Sequence, residues 1–306
     1  MAAAWLSLPA FAKINLSLEL LGARPDGYTE IRTLYQSVGL HDRVRVRWGR
    51  DHRSTVVRVV GGGAPAGRRN LAYRCVERAR GELGLRRGVD LELEKNIPAG
   101  HGLGGGSSDA AAALMGLLRL ARLRLPLPEL MRLGAAVGAD VPFFFLGGRV
   151  LGVGRGEEVF PLADTAPTWV VMIAPPLEIS TRVAYSWAAE RMRQRRGRLT
   201  PRERAGIIAD WRLPPDALWA AGNDFEPILF PRFPELARIK AALLGAGARE
   251  AALSGSGSTV YALFSRRAAA EKAAAEWARA AAVFVVETLP RPAYQRACGL
   301  GAVVLS

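Results

Sequence analysis

The chain has 306 residues, half of them hydrophobic, and its two cysteines are too few for a disulfide-rich scaffold. That length suits one large domain or two of ordinary size, and no apolar run approaches the roughly 20 residues that span a bilayer. The first residues lack a basic start and a long apolar core, so we expect no signal peptide, no membrane partner, free thiols and a cytoplasmic location.

The net charge of +14 is compatible with a nucleic-acid-binding protein. Only four of the 42 basic residues are lysines, however, and the arginines are scattered along the chain. One dense basic cluster runs from Arg191 to Arg204. Three interpretations of this cluster stay open: a solvated helix–loop–helix surface, a funnel that attracts a polyanionic substrate, and an RNA-binding patch.

The first half of the chain alternates predicted strands and helices. Alternating apolar and polar residues predict strands at 10–20, 43–48 and 89–94, whereas 29–39 fits a strand or a short helix. The helical period predicts helices at 71–83, 110–120 and 127–137. Glycine-rich stretches at 22–27, 61–67 and 147–158 indicate turns and loops, the last of which returns toward a strand.

A shift in composition near residues 163–168 predicts a boundary between domains at 1–166 and 167–306. Beyond it we expect strands at 169–173, 251–264 (interrupted by S-G-S-G-S) and 283–289. Helices are expected at 184–190, 205–210, 232–244 and 268–282. Strands and helices in both halves predict an α+β fold class with two layers in each domain.

A glycine-rich loop, N-I-P-A-G-H-G-L-G-G-G-S-S-D-A-A-A-A-L from Asn96 to Leu114, joins a predicted strand to a predicted helix. Glycine allows positive φ and close approach of the backbone to a ligand. With Ser107 or Ser108 as the expected helix cap, the loop and the helix N-terminus form an anion site, most often one for phosphate. The loop is not a Walker A motif, because no lysine follows Gly106, and the Rossmann pattern fits it poorly.

Two further segments carry polar residues in apolar surroundings, A-K-I-N-L with Lys13 and Asn15 and G-A-D-V-P-F-F-F with Asp140. Taken alone, Lys13 and Asn15 are typical of the solvent face of an edge strand, and Asp140 of a turn cap.

These segments occur in one order along the chain together with R-P-D-G-Y-T (24–29), I-S-T-R-V-A-Y (179–185), G-N-D-F-E-P (222–227) and L-S-G-S-G-S (253–258). The set resembles the GHMP kinases, and the triple glycine followed by S-S-D-A-A resembles their 4-diphosphocytidyl-2-C-methyl-D-erythritol kinase branch. The resemblance implies a two-domain GHMP kinase fold with an N-terminal ribosomal-protein-like α/β domain, a C-terminal ferredoxin-like domain and the active site in the cleft. It also implies transfer of the γ-phosphoryl group of ATP, with Mg²⁺, to the 2-hydroxyl of that small-molecule substrate of the non-mevalonate isoprenoid pathway.

The resemblance assigns roles to individual residues. Asp140 would be the catalytic base and Lys13 its electrostatic partner. ATP would be bound by Lys95, Asn96, Pro98, Ala99, Gly100, His101, Gly102, Leu103, Gly104, Gly105, Gly106, Ser107 and Ser108, with Ser108 also a candidate Mg²⁺ ligand. The substrate would be bound by Asn15, Asp26, Gly27, Tyr28, Thr181, Tyr185, Ser254, Gly255, Ser256 and Gly257, with the cytosine between Tyr28 and Tyr185.

One position departs from the family pattern D-G-Y-H, because Thr29 stands where the family has the histidine that reads the edge of the cytosine. This departure keeps open a GHMP kinase for a different small-molecule alcohol. The positive charge keeps open an RNA-binding protein, although that alternative leaves Lys13, Asp140 and the glycine loop unexplained. We expect no nucleic-acid partner, and the sequence does not indicate an oligomeric state.

Overall fold

The computed structural model describes residues 4–49, 53–61, 63–193, 222–302 and 304–305. The strands are β1 Leu6–Ala23, β2 Thr29–Trp48, β3 Thr55–Val60, β4 Val89–Glu94, β5 Leu125–Pro126, β6 Arg149–Gly154, β7 Glu158–Pro161, β8 Trp169–Ala174, β9 Glu250–Leu253, β10 Val260–Phe264, β11 Ala282–Glu287 and β12 Val304–Leu305. The α-helices are α1 Leu71–Glu82, α2 Gly105–Ala121, α3 Leu127–Ala135, α4 Thr181–Arg193, α5 Glu226–Leu229, α6 Pro234–Gly245, α7 Arg267–Ala275 and α8 Arg291–Cys298. Short 3₁₀ helices cover Gly67–Arg69, Pro142–Phe145 and Leu300–Ala302.

The first sheet is built around β2 and has the order β3-β4-β2-β6-β7, with β1 also paired to β2. The first part of β2 pairs with β6 and the last part with β4. Residues 29–39 and 43–48, which the sequence separated, thus belong to one 20-residue strand. Register shifts against β1, one of them at Phe11/Ala12, let the strand bend where a break was expected.

The second sheet is antiparallel with the order β11-β8-β10-β9. Helices α4, α6 and α7 contribute buried residues to a core on one of its faces, among them Ala184, Leu236 and Ala270. The other face packs against β1 and β2 in a core that joins Ile14 and Val38 to Met172 and Leu263. The two sheets are therefore held together by a shared apolar layer.

Strand β1 points alternate side chains into this shared layer and away from it. Ala12, Ile14 and Leu16 lie in the layer between the sheets. Because successive side chains of a strand point to opposite faces, Lys13 and Asn15 face away from it. The alternation that predicted the strand thus also sets the direction of its two polar residues.

Helix α8, near the C-terminal end, packs into the core of the first sheet and its helices. Tyr294 is fully buried there, and its hydroxyl donates to the carbonyl of Phe144 over 2.7 Å. In the sequence, the strands of the first sheet all precede residues 163–168 and those of the second sheet all follow them. Residues 291–298, however, return to the core of the first sheet. The boundary at residue 166 stays a prediction.

Several predicted boundaries were wrong. Helix α2 begins at Gly105 with Gly104 as its N-cap, so neither Ser107 nor Ser108 is the cap. The stretch 147–158 contains β6, a fully buried strand beside β2, because its glycines fit against neighbouring side chains. The helix expected at 268–282 ends at Ala275, and Ala282 already belongs to β11.

Two predictions fall largely outside the described part of the chain, namely the helix at 205–210 and most of the cluster Arg191–Arg204. Of that cluster, Arg191 donates to the carbonyl of Pro227 over 3.2 Å. Among the described residues, no helix combines the length and the apolar composition that crossing a membrane requires.

Candidate active site

A cleft of about 1090 Å³ runs along the side of β1 that carries Lys13 and Asn15. Its walls come from the glycine loop before α2, the segment after α3, the start of α4 and the loop between β9 and β10. These are the segments that the sequence motifs mark. The fold brings them together from positions more than 240 residues apart.

The glycine loop presents a helix N-terminus that no side chain caps. Gly104 adopts φ +72° as the N-cap of α2, and no side chain of its own can bond the first amides. A Cβ there would lie 2.9 Å from the ring of Phe144 and 3.0 Å from Cγ of Lys13. The unpaired amides and the positive end of the helix dipole are thus available to an anion from the cleft.

The loop between β9 and β10, residues 254–259, packs directly on the first glycine loop. The hydroxyl of Ser254 donates to the carbonyl of Gly102 over 3.0 Å. The His101 ring contacts the hydroxyl of Ser258 through Nδ1 at 2.8 Å, and burial lowers the pKa of His101. The amide of Asn223 holds the second loop from behind, donating to the carbonyls of Leu253 and Gly255 over 2.8 Å each.

Lys13 connects the glycine loop to Asp140. Its ammonium donates to the carbonyl of Gly102 over 2.8 Å and to Oδ1 of Asn15 over 2.6 Å. Oδ2 of Asp140 lies 3.8 Å from the same nitrogen. Burial lowers the pKa of Lys13, and the charge of Asp140 opposes that shift. Geometry therefore places a positive charge between the loop and a carboxylate.

Asp140 is held by Tyr35 and by the apolar segment that follows it. The Tyr35 hydroxyl donates to Oδ1 of Asp140 over 2.9 Å. Burial, with Asp140 next, raises the pKa of Tyr35 well above its usual value, so this hydroxyl stays protonated and acts as a donor. Phe143, Phe144 and Phe145 are fully buried, which anchors the backbone while about a third of the Asp140 side chain remains exposed.

The cleft also contains the predicted aromatic pair, Tyr28 and Tyr185. Tyr28 is exposed, and the guanidinium of Arg155 lies over its ring at 4.8 Å from the centroid. Tyr185 packs edge-on against Phe225 with ring centroids 4.9 Å apart. Both tyrosines line the cleft, and a base stacked between them stays a prediction.

The side chain of Lys95, predicted to bind ATP, is already engaged within the protein. Its ammonium forms buried ion pairs with Asp42 and with Asp109, the latter at 2.5 Å. The neighbouring Asn96 side chain donates to the carbonyl of His41 over 3.0 Å. The side chains of this predicted pair therefore bind other parts of the protein.

Most predicted site residues line the cleft. Those that do not are Asp26, Asn96, Ser108, Ser254 and Gly257. Sequence reasoning missed further cleft residues, among them Tyr35, Arg69, Asn70, Asp109, Arg155 and Arg182. Asp109 and Arg182 lie within quoted motifs but were given no role, whereas the motifs gave no signal for the other four, which only the fold brings to the cleft.

A metal ion has few protein ligands available here. The described ranges contain no cluster of three or more His, Cys, Asp or Glu side chains that could hold one. Both serines lie in the first turn of α2, but Ser107 lines the cleft whereas Ser108 is 1% exposed. This donor set fits an ion that keeps several waters and is bound mainly through phosphate oxygens, as Mg²⁺ commonly is.

Comparison with known proteins identifies the family. The N-terminal domain of GHMP kinases matches residues 70–148, and the C-terminal domain of GHMP kinases matches residues 213–283. The 4-diphosphocytidyl-2-C-methyl-D-erythritol kinase of Solibacter usitatus (strain Ellin6076) is 40% identical over 271 residues, covering 85% of this chain and 81% of that protein. The protein of the same name from Syntrophotalea carbinolica (strain DSM 2380 / NBRC 103641 / GraBd1) is 41% identical over 271 residues, covering 87% and 93%.

Solved structures agree with the sequence relatives. A crystal structure of 4-(cytidine 5'-diphospho)-2C-methyl-D-erythritol kinase has a TM-score of 0.74 and 34% identity, covering 92% of this chain and 99% of that one. The homoserine kinase of Cytophaga hutchinsonii ATCC 33406, at 22% identity and TM-score 0.66 over 93% and 95%, shows the shared fold alone. The predicted two-domain GHMP kinase fold of class α+β is confirmed. The chain belongs to the GHMP kinases and, within them, to the 4-diphosphocytidyl-2-C-methyl-D-erythritol kinase family.

Proposed function

We propose that this chain transfers the γ-phosphoryl group of ATP to the 2-hydroxyl of 4-diphosphocytidyl-2-C-methyl-D-erythritol. The observation that carries the proposal is the ion pair between Lys13 Nζ and Asp140 Oδ2, which are 3.8 Å apart. The pair lies beside the glycine loop and the N-terminus of α2, which no side chain caps. A carboxylate, an ammonium and an anion site in one cleft are the parts that phosphoryl transfer to an alcohol requires.

Asp140 is assigned as the general base. Its carboxylate accepts the proton of the 2-hydroxyl while that oxygen forms a bond to the γ-phosphorus. The bond from the γ-phosphorus to the bridging oxygen breaks, and ADP leaves with the electron pair. Tyr35 and the buried phenylalanines fix the orientation of the carboxylate. Correct positioning of the base toward the hydroxyl is a main part of its contribution to the rate.

Lys13 is assigned as the electrostatic partner of the reaction. Its ammonium reaches Asp140 on one side and the carbonyl of Gly102 on the other, so it lies between the base and the phosphate loop. A fixed positive charge in a water-poor site stabilises negative charge that develops on the transferred group. Asn15 orients the ammonium and is itself held by Thr33, to which its amide donates over 2.7 Å.

The glycine loop and the N-terminus of α2 would bind the phosphates of ATP, and Mg²⁺ would accompany them. Ser107 is better placed than Ser108 to approach that ion from the protein. The ion would neutralise part of the phosphate charge. The predicted cytoplasmic location belongs to this same proposal.

The cytidyl end is the part where this chain departs from its family pattern. Thr29 lines the cleft but is only 9% exposed, and it offers a hydroxyl in place of an imidazole. Arg155, which stacks on Tyr28 beside it, supplies donors that can reach a base edge or a diphosphate. The family assignment favours the cytidyl substrate over a different alcohol and over RNA.

Release of ADP from MgATP in the presence of 4-diphosphocytidyl-2-C-methyl-D-erythritol tests the proposal. We expect turnover with this acceptor and a rate at least about a hundredfold lower with 2-C-methyl-D-erythritol 4-phosphate, which lacks the cytidyl group, because its stacking and polar contacts are lost. Equal turnover with both acceptors would show that the cytidyl group is not read. Turnover only with homoserine or mevalonate would assign the chain to another alcohol.

The aromatic end gives a prediction about substrate affinity. Tyr28→Ala raises the KM for the cytidyl acceptor by about 5- to 160-fold, because stacking of a base on one aromatic ring contributes about 1–3 kcal/mol. The KM for ATP stays unchanged, since Tyr28 belongs to the turn between β1 and β2 and not to the glycine loop or α2. Steady-state kinetics with each substrate varied in turn measure both values. Tyr28→Phe keeps the ring and is the matched control, so an equal loss in both variants would argue against stacking.

A further inference from the structure

One face of helix α4 borders the cleft and combines an aromatic ring with a cation. The residues of this helix that line the cleft are Thr181, Arg182, Tyr185, Ser186 and Ala189. They recur at the spacing of a single face of an α-helix. Arg182 therefore lies one turn before Tyr185, on the face that the proposed cytidyl group contacts.

The guanidinium of Arg182 is available to a ligand. The residue is exposed, and within the described part of the chain it forms no ion pair. Two other cations of the cleft each face a carboxylate of the protein, since Lys13 pairs with Asp140 and Arg155 pairs with Glu157 at 2.9 Å. The charge of Arg182 differs from these because no described carboxylate balances it.

Two more arginines of the cleft, Arg69 and Arg74, lie in another neighbourhood. They flank Leu71 at the start of α1, and a Cβ at Gly106 would lie 3.5 Å from Cδ1 of Leu71. That contact puts both arginines beside the glycine loop, which is assigned to ATP. Arg182, on α4, is not part of this group.

The residue before Arg182 connects α4 to the reacting groups. The hydroxyl of Ser256 donates to Oγ1 of Thr181 over 3.2 Å. In the same loop, a Cβ at Gly255 would be 3.3 Å from Nζ of Lys13. Arg182 thus follows a residue that touches the loop beside Lys13, and it precedes by one turn the tyrosine assigned to the base.

The proposed acceptor has a diphosphate to place in this interval. Its diphosphate joins the cytidine to the methylerythritol that carries the reacting hydroxyl. With the cytosine at Tyr185 and the hydroxyl at Asp140, the negative charges of that linkage lie between the two residues. A guanidinium presents parallel N–H donors that match phosphate oxygens, and it keeps its charge throughout the physiological pH range.

We propose that Arg182 binds the diphosphate of the acceptor and makes the cleft selective for an acceptor that carries one. The inference rests on the proposed function, because it needs the cytidyl group at Tyr28 and Tyr185. The diphosphate of the acceptor does not react, so Arg182 binds it equally in the ground state and in the transition state. Loss of this contact therefore raises the KM for the acceptor and leaves kcat unchanged.

Calorimetric titration of CDP and of cytidine separates the diphosphate from the base. Each ligand is titrated into the wild type and into Arg182→Met in the presence of Mg²⁺ and the nonhydrolysable analogue AMP-PNP, which occupies the glycine loop. Methionine keeps an apolar stem and removes the charge and the donors. We expect the dissociation constant of CDP to rise about tenfold or more in the variant, because charge-assisted hydrogen bonds to phosphate are lost. The dissociation constant of cytidine stays unchanged.

Steady-state ADP release provides the kinetic counterpart. Arg182→Met raises the KM for the cytidyl acceptor by a similar factor, with kcat and the KM for ATP unchanged. Arg182→Lys keeps the charge without the planar fork, so we expect a smaller rise. Arg191→Met is the matched control, because it removes the same charge from the same helix, while Arg191 donates to the carbonyl of Pro227 and does not line the cleft. It should bind CDP as the wild type does.

The outcomes separate the two proposals. CDP that binds equally to the wild type and to Arg182→Met overturns the inference and leaves the kinase assignment intact. Equal weakening in Arg182→Met and Arg191→Met overturns it as well, because a general loss of positive charge then explains the effect. Cytidine weakened as much as CDP would assign Arg182 to the base instead of the diphosphate. Wild-type protein that binds the ATP analogue but neither CDP nor cytidine overturns the cytidyl acceptor and the inference together.

Discussion

Replacing Asp140 with asparagine lowers kcat by about 10²- to 10⁴-fold, the range in which a general base contributes. The amide keeps the size of the side chain, and its oxygen can still accept from the Tyr35 hydroxyl. It cannot accept the proton of the alcohol. Because Asp140 lies at the acceptor side of Lys13, the KM for ATP changes little. Steady-state ADP release measures both parameters.

Tyr35→Phe is the informative companion to Asp140→Asn. It removes only the hydroxyl that orients the carboxylate, so we expect a smaller loss of kcat with the base still present. A kcat for Asp140→Asn within a few-fold of the wild type would exclude Asp140 as the base. Binding of MgATP to Asp140→Asn, measured by calorimetry, would show that the glycine loop is intact in that variant.

Replacing Gly102 with alanine is expected to displace the phosphate loop and to lower kcat/KM for ATP by more than about a hundredfold, as misplacement of a reacting group by about 1 Å does. The new Cβ would lie 2.1 Å from the backbone carbonyl oxygen of Ser254. A backbone atom cannot rotate away as a side chain can. The shift also pulls the Gly102 carbonyl from the Lys13 ammonium and the Ser254 hydroxyl, which it now binds.

Gly100→Ala is the matched control for this steric effect. Gly100 has φ +75°, almost the same as the +76° of Gly102, so both variants carry the same conformational strain. A Cβ at Gly100 meets only Cγ of Glu178, at 4.0 Å. We therefore expect Gly100→Ala to keep most of its activity. Equal losses in the two variants, with equal thermal midpoints, would show that strain and not close approach governs the loop.

The parts of the site that sequence analysis identified are those whose chemistry is local. A glycine loop between a strand and a helix predicts an anion site from its local sequence alone. The alternation in β1 likewise predicted that Lys13 and Asn15 share one face of the strand. The order of the motifs along the chain then identified the family. Even so, the assigned roles of the individual residues remain predictions that the variants above test.

The parts that sequence analysis missed depend on long-range packing. The N-cap of α2 is Gly104 because Lys13 and Phe144 leave no room for a larger residue, and both lie far away in sequence. The ammonium of Lys95 turns inward because Asp42, 53 residues earlier, lies beneath it. Tyr35 reaches Asp140 across 105 residues. No local period carries such information, since each contact is created by sheet register and helix packing.

The return of α8 to the first core has a consequence for how the protein is made. Tyr294 closes over the carbonyl of Phe144, and Arg119 in α2 donates to the carbonyl of Gly299 over 2.6 Å. A ribosome therefore releases the segments that support Asp140 and the phosphate loop long before the residues that complete their packing. The core that supports Asp140 and the glycine loop therefore reaches its final form only after residues 291–299 have been synthesised.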